Sequence, residues 1–314
     1  MTCFARLGAD ASYFQLGFAT VTTPFYSFVV GVILWNQKND EFLSQPLFKF
    51  IAASGIVDIL FLLFALFFEQ MPLWGCLKAF YMATCQPAAP VIKGIVMATP
   101  FVQLCCLTII TLNRFSAATL PLKHNKLWSN GAFVVVVGLT SAAFVTISAT
   151  VFITSDVAYS QWRNDTVTIY LSFLQRSHAV FWALFSVCAL LLTVALNGVL
   201  YAFIFAHLLS QFKKAGEARA SGNWVAQDSG QQQRSAKRLS LGVEIRLATY
   251  SFCVFGILCA LVGYLLAFNL FFPTALDNHL SAAILTTLTQ LFTGGNPYLL
   301  LLTSSHLRRK CLGR

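Results

Sequence analysis

The chain has 314 residues, of which 57% are hydrophobic and only 10% are charged, and its formal net charge is +10. Soluble globular domains contain about 25% charged residues, so this composition excludes an ordinary soluble domain and favours a protein that lies in lipid. The positive charge does not indicate nucleic acid as a partner, because the cations lie between long apolar runs.

Seven apolar runs follow one another along the chain. Each is long enough to cross about 30 Å of hydrocarbon at about 1.5 Å per residue. We place them at about 14–34, 47–69, 94–115, 131–153, 179–206, 247–270 and 280–302. The polar region 213–246 predicts a flexible loop with helical extensions of the neighbouring spans at its ends. The sequence therefore predicts an all-α membrane protein, with residues 1–314 forming a single seven-transmembrane helix bundle in the lipid bilayer.

The positions of the lysines and arginines predict the orientation of this bundle. An outside N-terminus places sixteen of these cations on the cytoplasmic side and five on the outer side. That asymmetry agrees with the positive-inside rule. The N-x-[ST] sequon at Asn164 then lies in the second outer loop, where it is a candidate glycosylation site. We therefore expect the N-terminus outside and the C-terminus in the cytoplasm.

Short motifs after the third run and in the seventh resemble those of a known receptor family. Asn113-Arg114-Phe115, followed by Pro121-Leu122-Lys123-His124 and Trp128, is similar to a signature of nematode serpentine chemoreceptors, most closely the gamma class. Asn296-Pro297-Tyr298 is similar to the end of their seventh helix. The resemblance implies a G-protein-coupled chemosensory receptor with a small-molecule ligand, such as a pheromone or odorant. It further implies a heterotrimeric G protein as partner and the plasma or ciliary membrane of a sensory neuron as location.

Arg114 lies where the third span ends at the predicted cytoplasmic face. The resemblance implies that Arg114 is offered to the G protein. Its neighbour Asn113 stands where rhodopsin-like receptors have an acid, so an ion pair within this motif is missing. The alternative interpretation is an ordinary inner-face cation that extends its charge to the lipid head groups.

Asp58 lies near the middle of the second run, where a charged side chain is costly unless it is paired or hydrated. By resemblance to the rhodopsin-like layout, it should face Asn296 in the seventh run. We therefore predict a buried polar switch cluster of Asp58 and Asn296, with Ser54 one turn before the acid. The alternative is a protonated Asp58 that makes one structural hydrogen bond.

A ligand site is expected between the outer halves of the helices, because helical bundles bind small molecules in mostly apolar clefts with a few polar groups. An anionic cue would favour a lysine there. Trp, Tyr and Lys also anchor helices at the membrane interface, which is the alternative role for these residues. The candidates near that level are Lys93, His178, Trp182, Tyr264 and His279.

Cysteines suggest two further sites. Cys76 and Cys85 both lie in the first outer loop, an oxidising location in which a local disulfide can form. Residues 154–178 contain no cysteine, so the bridge that ties the third helix to the second outer loop in most rhodopsin-like receptors cannot exist here. Cys311 follows a basic cluster after the last span, which suits palmitoylation, and a plain free thiol is the alternative.

Motifs for catalysis, for a cofactor or for a metal site do not occur in the sequence. We therefore predict that the protein is not an enzyme. The competing interpretations are a transporter or a ligand-gated channel subunit. A transporter is expected to show repeated halves and several midplane charges. The chain instead has one midplane acid and no evident repeat.

Overall fold

A computed structural model describes residues 3–73, 77–161, 169–220, 249–250, 252–264 and 279–312. Within that part of the chain, five helices are long and apolar enough to cross a membrane. These first five spans are the helices Cys3–Asn36, Pro46–Ala65, Ala89–Thr119, Asn130–Thr154 and Arg176–Ala220. The sixth span is described over Phe252–Tyr264. The seventh is described over His279–Gly294 and Asn296–Thr303, on either side of Gly295.

The fifth helix continues to Ala220, so the expected helical extension of this span into the polar region 213–246 is present. The rest of that region, from residue 221 to residue 246, lies outside the described residues. The second span continues as a π-helical turn over Leu66–Gln70, and a second π-helical turn at Tyr81–Cys85 leads to the third span. π-Helical turns are rare in proteins, but those that occur are often found at functional sites.

A β-hairpin packs over one end of the bundle. Strand β1, Val157–Gln161, pairs antiparallel with strand β2, Ile169–Phe173, so that Val157 lies opposite Phe173. An all-α prediction does not include these strands. We call this end of the bundle the hairpin end.

The opposite end carries two short helices. A loop helix, Pro121–Leu127, follows the third span, and a terminal helix, Ser305–Cys311, follows the seventh. The side chain of Ser304 caps the terminal helix by accepting a hydrogen bond from the backbone N–H of Leu307. We call this the terminal-helix end.

The main apolar core lies between the first, second, third, sixth and seventh spans. Its fully buried members include Ile33, Phe48, Leu258 and Leu300. The fourth span is peripheral, since its most apolar 18-residue window, all of which the structure describes, is 0% buried. Its exposed valines and leucines, such as Val134 and Leu139, are therefore suited to face lipid, which costs nothing in a bilayer.

The third and fourth spans approach closely at Gly94. A Cβ atom at this position would lie 2.7 Å from the backbone oxygen of Ser148. The hydroxyl of Ser148 in turn donates a hydrogen bond to the Gly94 carbonyl, 3.3 Å away. A small residue at this crossing lets the two backbones meet, as is common between transmembrane helices.

Candidate functional site

Asp58 is buried in the middle of the bundle and is the centre of a polar cluster. Tyr26 of the first span donates its hydroxyl hydrogen to Oδ2 of Asp58 at 2.6 Å. Asn296 of the seventh span donates to the same oxygen at 2.9 Å, and Gln103 of the third span donates to Oδ1 at 2.8 Å. Gln103 also reaches the hydroxyl of Thr293 at 3.3 Å. The acid therefore joins the first, second, third and seventh spans.

A small cavity lies beside this cluster. Its volume, counted as space for the centres of water molecules, is about 20 Å³, which is enough for about one water. Tyr250 and Val254, the latter within the sixth span, line this cavity. Its polar lining consists of Asp58, its three hydrogen-bond donors and Ser54. Oδ1 of Asn296 is buried and has no hydrogen-bond partner within the described part of the chain. The cavity thus has an acceptor for a water and walls formed by separate helices.

The structure brings together the predicted pair Asp58 and Asn296, with Ser54 on the wall of the same cavity. The alternative of a single structural hydrogen bond does not agree with the several donors around Asp58. The sequence interpretation missed Tyr26, Gln103 and Thr293. A search for polar side chains inside apolar runs would have found Gln103, whereas Tyr26 gives no comparable signal. The switch role of the cluster remains a prediction.

Arg114 and Asn113 lie at the terminal-helix end of the third span, and both side chains are buried. Arg114 is only 4% exposed. A cation that extends to the lipid head groups would be exposed, so the structure does not support that alternative for Arg114.

Hydrogen bonds to Ser116, two residues after Arg114, connect the two parts of the sequence motif that begins at Asn113 and extends to Trp128. The Ser116 hydroxyl accepts a hydrogen bond from Nε1 of Trp128 at 2.6 Å and donates one to the carbonyl oxygen of Asn113 at 2.9 Å. Nδ1 of His124 lies 3.1 Å from the same hydroxyl. The loop helix is therefore tied to the end of the third span, directly beside Arg114.

Comparison with known proteins agrees with this arrangement. Residues 15–314 match the family model described as serpentine type 7TM GPCR chemoreceptor Srv. The chain belongs to this family of serpentine chemoreceptors. It is a G-protein-coupled chemosensory receptor, and neither an enzyme nor the alternative transporter or channel is supported. The class that matches is Srv, and the gamma class expected from the motifs is not shown.

The fold of the receptor is that of the rhodopsin-like seven-helix proteins. The crystal structure of squid rhodopsin matches with a TM-score of 0.69 and 15% sequence identity, covering 96% of this chain and 84% of that chain. At this identity the match shows the fold alone. A search of curated proteins gives no match.

The predicted ligand-contact residues take different places in the receptor. Lys93 donates a hydrogen bond to the Leu171 carbonyl at 3.4 Å and lies 5.5 Å from the centre of the Phe173 ring. Trp182 is buried and donates from Nε1 to the Ser155 hydroxyl at 3.3 Å. Both of these side chains therefore contact the hairpin segment. A ligand role stays a prediction for each.

The other three candidates for ligand contact are His178, Tyr264 and His279. His178 is half-buried, and its Nδ1 has no hydrogen-bond partner among the residues that the structure describes. Tyr264 is partly buried at the last described position of the sixth span. The side chain of His279 lies outside the described residues. The ligand role of these three is likewise untested.

Gln86 anchors the hairpin of the receptor to the start of the third span. Its side-chain oxygen accepts a hydrogen bond from the backbone N–H of Tyr159 at 2.9 Å. The Tyr159 hydroxyl donates to the Phe68 carbonyl at 3.2 Å, and its ring lies 5.5 Å from that of Tyr81. These contacts occupy the place that a disulfide holds in most rhodopsin-like receptors.

The predicted covalent sites of the receptor remain predictions. Cys85 carries a buried free thiol among the described residues, and Cys76 lies outside them, so a Cys76–Cys85 disulfide is not shown. Asn164, the candidate glycosylation site, also lies outside the described residues. Cys311 is partly buried against the main core. Burial raises the pKa of the Cys311 thiol, which disfavours its reactive thiolate form.

Asp40, in the turn between the first and second spans, holds the terminal helix of the receptor. Its Oδ2 lies 2.8 Å from Nε2 of His306 and 3.2 Å from Nζ of Lys310. Burial alone would raise the pKa of Asp40. The hydrogen bonds from His306, Lys310 and the Leu43 backbone outweigh burial and lower the pKa of Asp40 to about 2. Leu307 of the same helix is fully buried in the main core.

Proposed function

We propose that this chemoreceptor binds a small chemical cue at its hairpin end and activates a heterotrimeric G protein at its terminal-helix end. The observation that carries this proposal is the cluster at Asp58, which joins the first, second, third and seventh spans beside a cavity. Buried hydrogen-bonded clusters of this kind have few satisfied arrangements, so they suit an element that changes between discrete states. A cue that favours one arrangement would shift the population of the active state.

Arg114 and Asn113 are the proposed contact site for the G protein, which would reach them when the active state exposes these two buried side chains. Their position at the end of the third span, next to the loop helix that Ser116 holds, supports this role. Because rhodopsin-like receptors pair this arginine with a neighbouring acid and Asn113 is uncharged, activation here does not need to break that ion pair.

The proposed orientation has the hairpin end and the N-terminus outside and the terminal-helix end in the cytoplasm. The distribution of lysines and arginines, sixteen against five, supports it, as does the sequon at Asn164, which lies between the two strands in the sequence. The proposed location is the plasma or ciliary membrane of a sensory neuron, with a pheromone or odorant as the cue. Membership of a chemoreceptor family supports both.

Expression of the receptor with a G protein and a calcium or cyclic-nucleotide reporter tests the proposal. We expect cue-evoked reporter signals in cells that contain the G protein and none in cells that lack it. A membrane current evoked by the cue without any G protein would overturn the proposed mechanism. An epitope tag at the N-terminus, stained before and after permeabilisation, tests the orientation in the same cells.

Arg114→Ala separates folding from coupling in this assay. We expect the variant to reach the cell surface at close to the wild-type level, because Arg114 lies in the last two turns of the third span, Ala89–Thr119, and alanine is a good helix former. The reporter response should fall to background, because the proposed contact with the G protein is lost. The matched control is Lys123→Ala, an exposed cation in the loop helix. Signalling of Arg114→Ala at the wild-type level would remove Arg114 from the contact.

A further inference from the structure

The side chain of Gln290 in the seventh span is buried. The side chain is 3% exposed, and neither its amide nitrogen nor its amide oxygen has a hydrogen-bond partner in the described part of the receptor. Buried amides in proteins are almost always hydrogen-bonded, so an amide with both ends unpaired calls for an explanation. In a receptor, one explanation is a ligand that supplies the missing acceptor and donor.

The position of Gln290 fits the floor of a ligand site. It lies six residues before Asn296 on the same span, which is about 9 Å along a helix toward the hairpin end. Side chains three or four residues apart share a helix face, so Gln290 lies between Thr287 and Thr293. Thr287 accepts a hydrogen bond from Gln15 of the first span at 3.0 Å, and Thr293 accepts one from Gln103 of the third span. Gln290 is therefore directed into the bundle, one layer above the Asp58 cluster.

A chain of polar side chains connects this layer to Asp58. Thr293 is one helical turn from Gln290 and meets Gln103, and Gln103 in turn donates to Asp58. A ligand that engages Gln290 would thus act on the same turn of the seventh span that contacts the switch cluster.

The surrounding chemistry indicates a neutral ligand group. The side chains that hydrogen-bond to the turns on either side of Gln290 are Gln15, which donates to Thr287, and Gln103, which donates to Thr293, and both are uncharged amides. An ammonium or carboxylate would enter without a counter-charge from these residues, which is strongly disfavoured. Lys93, the only cation among the predicted ligand contacts apart from the histidines, instead donates to the Leu171 carbonyl and lies 5.5 Å from the centre of the Phe173 ring.

We propose that Gln290 is a ligand-contact residue that hydrogen-bonds a neutral polar group, such as the hydroxyl or amide group of a small, mostly apolar molecule. This inference rests on the proposed function, because it places the cue of that function in the bundle. It excludes cues whose polar group at this site is an acid or an amine.

Thermal unfolding of the purified receptor tests this inference without a G protein. The probes share a hexyl tail and differ in the head group: hexanol and hexanamide are neutral, whereas hexanoate and hexylamine are charged. We expect the neutral probes to raise the melting temperature of the wild type more than the charged ones. In Gln290→Leu, which keeps the size and removes the amide, the dose needed for half of the shift should rise about tenfold or more, because a hydrogen bond to the ligand is lost.

Gln70→Leu is the matched control, because Gln70 is also a buried amide without a partner in the described chain, but lies beside the aromatic residues under the hairpin. It should keep the shift with the neutral probes. Without ligand, Gln290→Leu should melt at or above the wild-type temperature, since an unpaired buried amide is removed.

Several outcomes would overturn the inference. For Gln290→Leu, these are a dose response equal to that of the wild type, or a melting temperature below that of the wild type without ligand. For the wild type, they are no rise in melting temperature with the neutral probes, or a larger rise with the charged ones. Loss of the rise in both Gln290→Leu and Gln70→Leu would also count against the inference. Binding of the neutral probes without any G-protein response would instead refute the proposed function and leave this inference standing. Cue-evoked signalling that is unchanged in Gln290→Leu would refute this inference alone.

Discussion

Removal of a single hydroxyl from Tyr26 measures how strongly the Asp58 cluster holds the bundle. Tyr26→Phe keeps the aromatic ring in the core and deletes only the donor that lies 2.6 Å from the acid. Hydrogen bonds to charged groups contribute about 1.5–3 kcal/mol, whereas neutral ones contribute about 0.5–1.5 kcal/mol. We expect a loss of about 1.5–3 kcal/mol in Tyr26→Phe, because the buried acid Asp58 loses one of its hydrogen-bond donors.

Tyr298→Phe is a matched control for this substitution. It deletes the same atom from the same residue type, and its hydroxyl also joins the first and seventh spans, by a bond of 3.1 Å to the neutral Thr22. We therefore expect a smaller loss of about 0.5–1.5 kcal/mol.

The assay combines thermal unfolding of the two purified variants with their cue-independent signalling in cells. If the Tyr26 bond is present in only one receptor state, its loss shifts the state equilibrium by a factor of about 10 to 150, since about 1.4 kcal/mol corresponds to tenfold. Tyr26→Phe should therefore change basal signalling, and Tyr298→Phe should change it less. Equal melting temperatures and equal basal signals in the two variants would refute the argument that the acid at position 58 is the switch centre.

Two further predictions concern the two ends of the bundle. Asp40→Asn should weaken the hold on the terminal helix and destabilise the receptor by up to about 1 kcal/mol, since His306 and Lys310 are partly exposed. Because the pKa of Asp40 is lowered in the fold, its contribution is complete above the ordinary value of 3.8 and is lost as the pH falls toward about 2. The melting temperatures of Asp40→Asn and wild type should therefore converge over that interval, and a difference that persists at the lowest pH would contradict this. Gln86→Leu should loosen the hairpin by removing the acceptor for the Tyr159 N–H, at a cost of about 1–3 kcal/mol. Faster protease cleavage within 155–173 would show it, and an unchanged rate would refute the anchor.

The spans were predictable because apolar length is a strong and local signal. The predicted run 94–115 lies inside the third helix, Ala89–Thr119, and Pro100 does not end that helix. The helix ends were less predictable: an extension of the fifth span into the polar region was expected, but the residue at which it stops, Ala220, was not. A polar segment beyond the hydrocarbon core of the membrane can either continue the helix or end it, and hydropathy does not distinguish these two possibilities.

The polar cluster was predictable only in part. Asp58 is conspicuous because an acid in an apolar run is costly. Its partner Asn296 was predicted from the resemblance to the rhodopsin-like layout rather than from the spacing of residues in the sequence. Tyr26 and Thr293 were missed, because tyrosine and threonine are common in apolar helices and which neighbour they face depends on how the helices rotate against one another. The hairpin was missed for a related reason: its strands are short, and they are stabilised by contacts with Gln86 and Lys93 far away in the sequence.

The way in which Gln86 holds the hairpin also affects how the receptor can be made and how it moves. A disulfide at this place would require an oxidant during folding and would then stay closed. Hydrogen bonds form as soon as the chain folds, in reducing or oxidising surroundings alike. They also break and reform through ordinary thermal motion. The hairpin is therefore attached reversibly, and a reducing agent should leave its attachment to the third span unchanged.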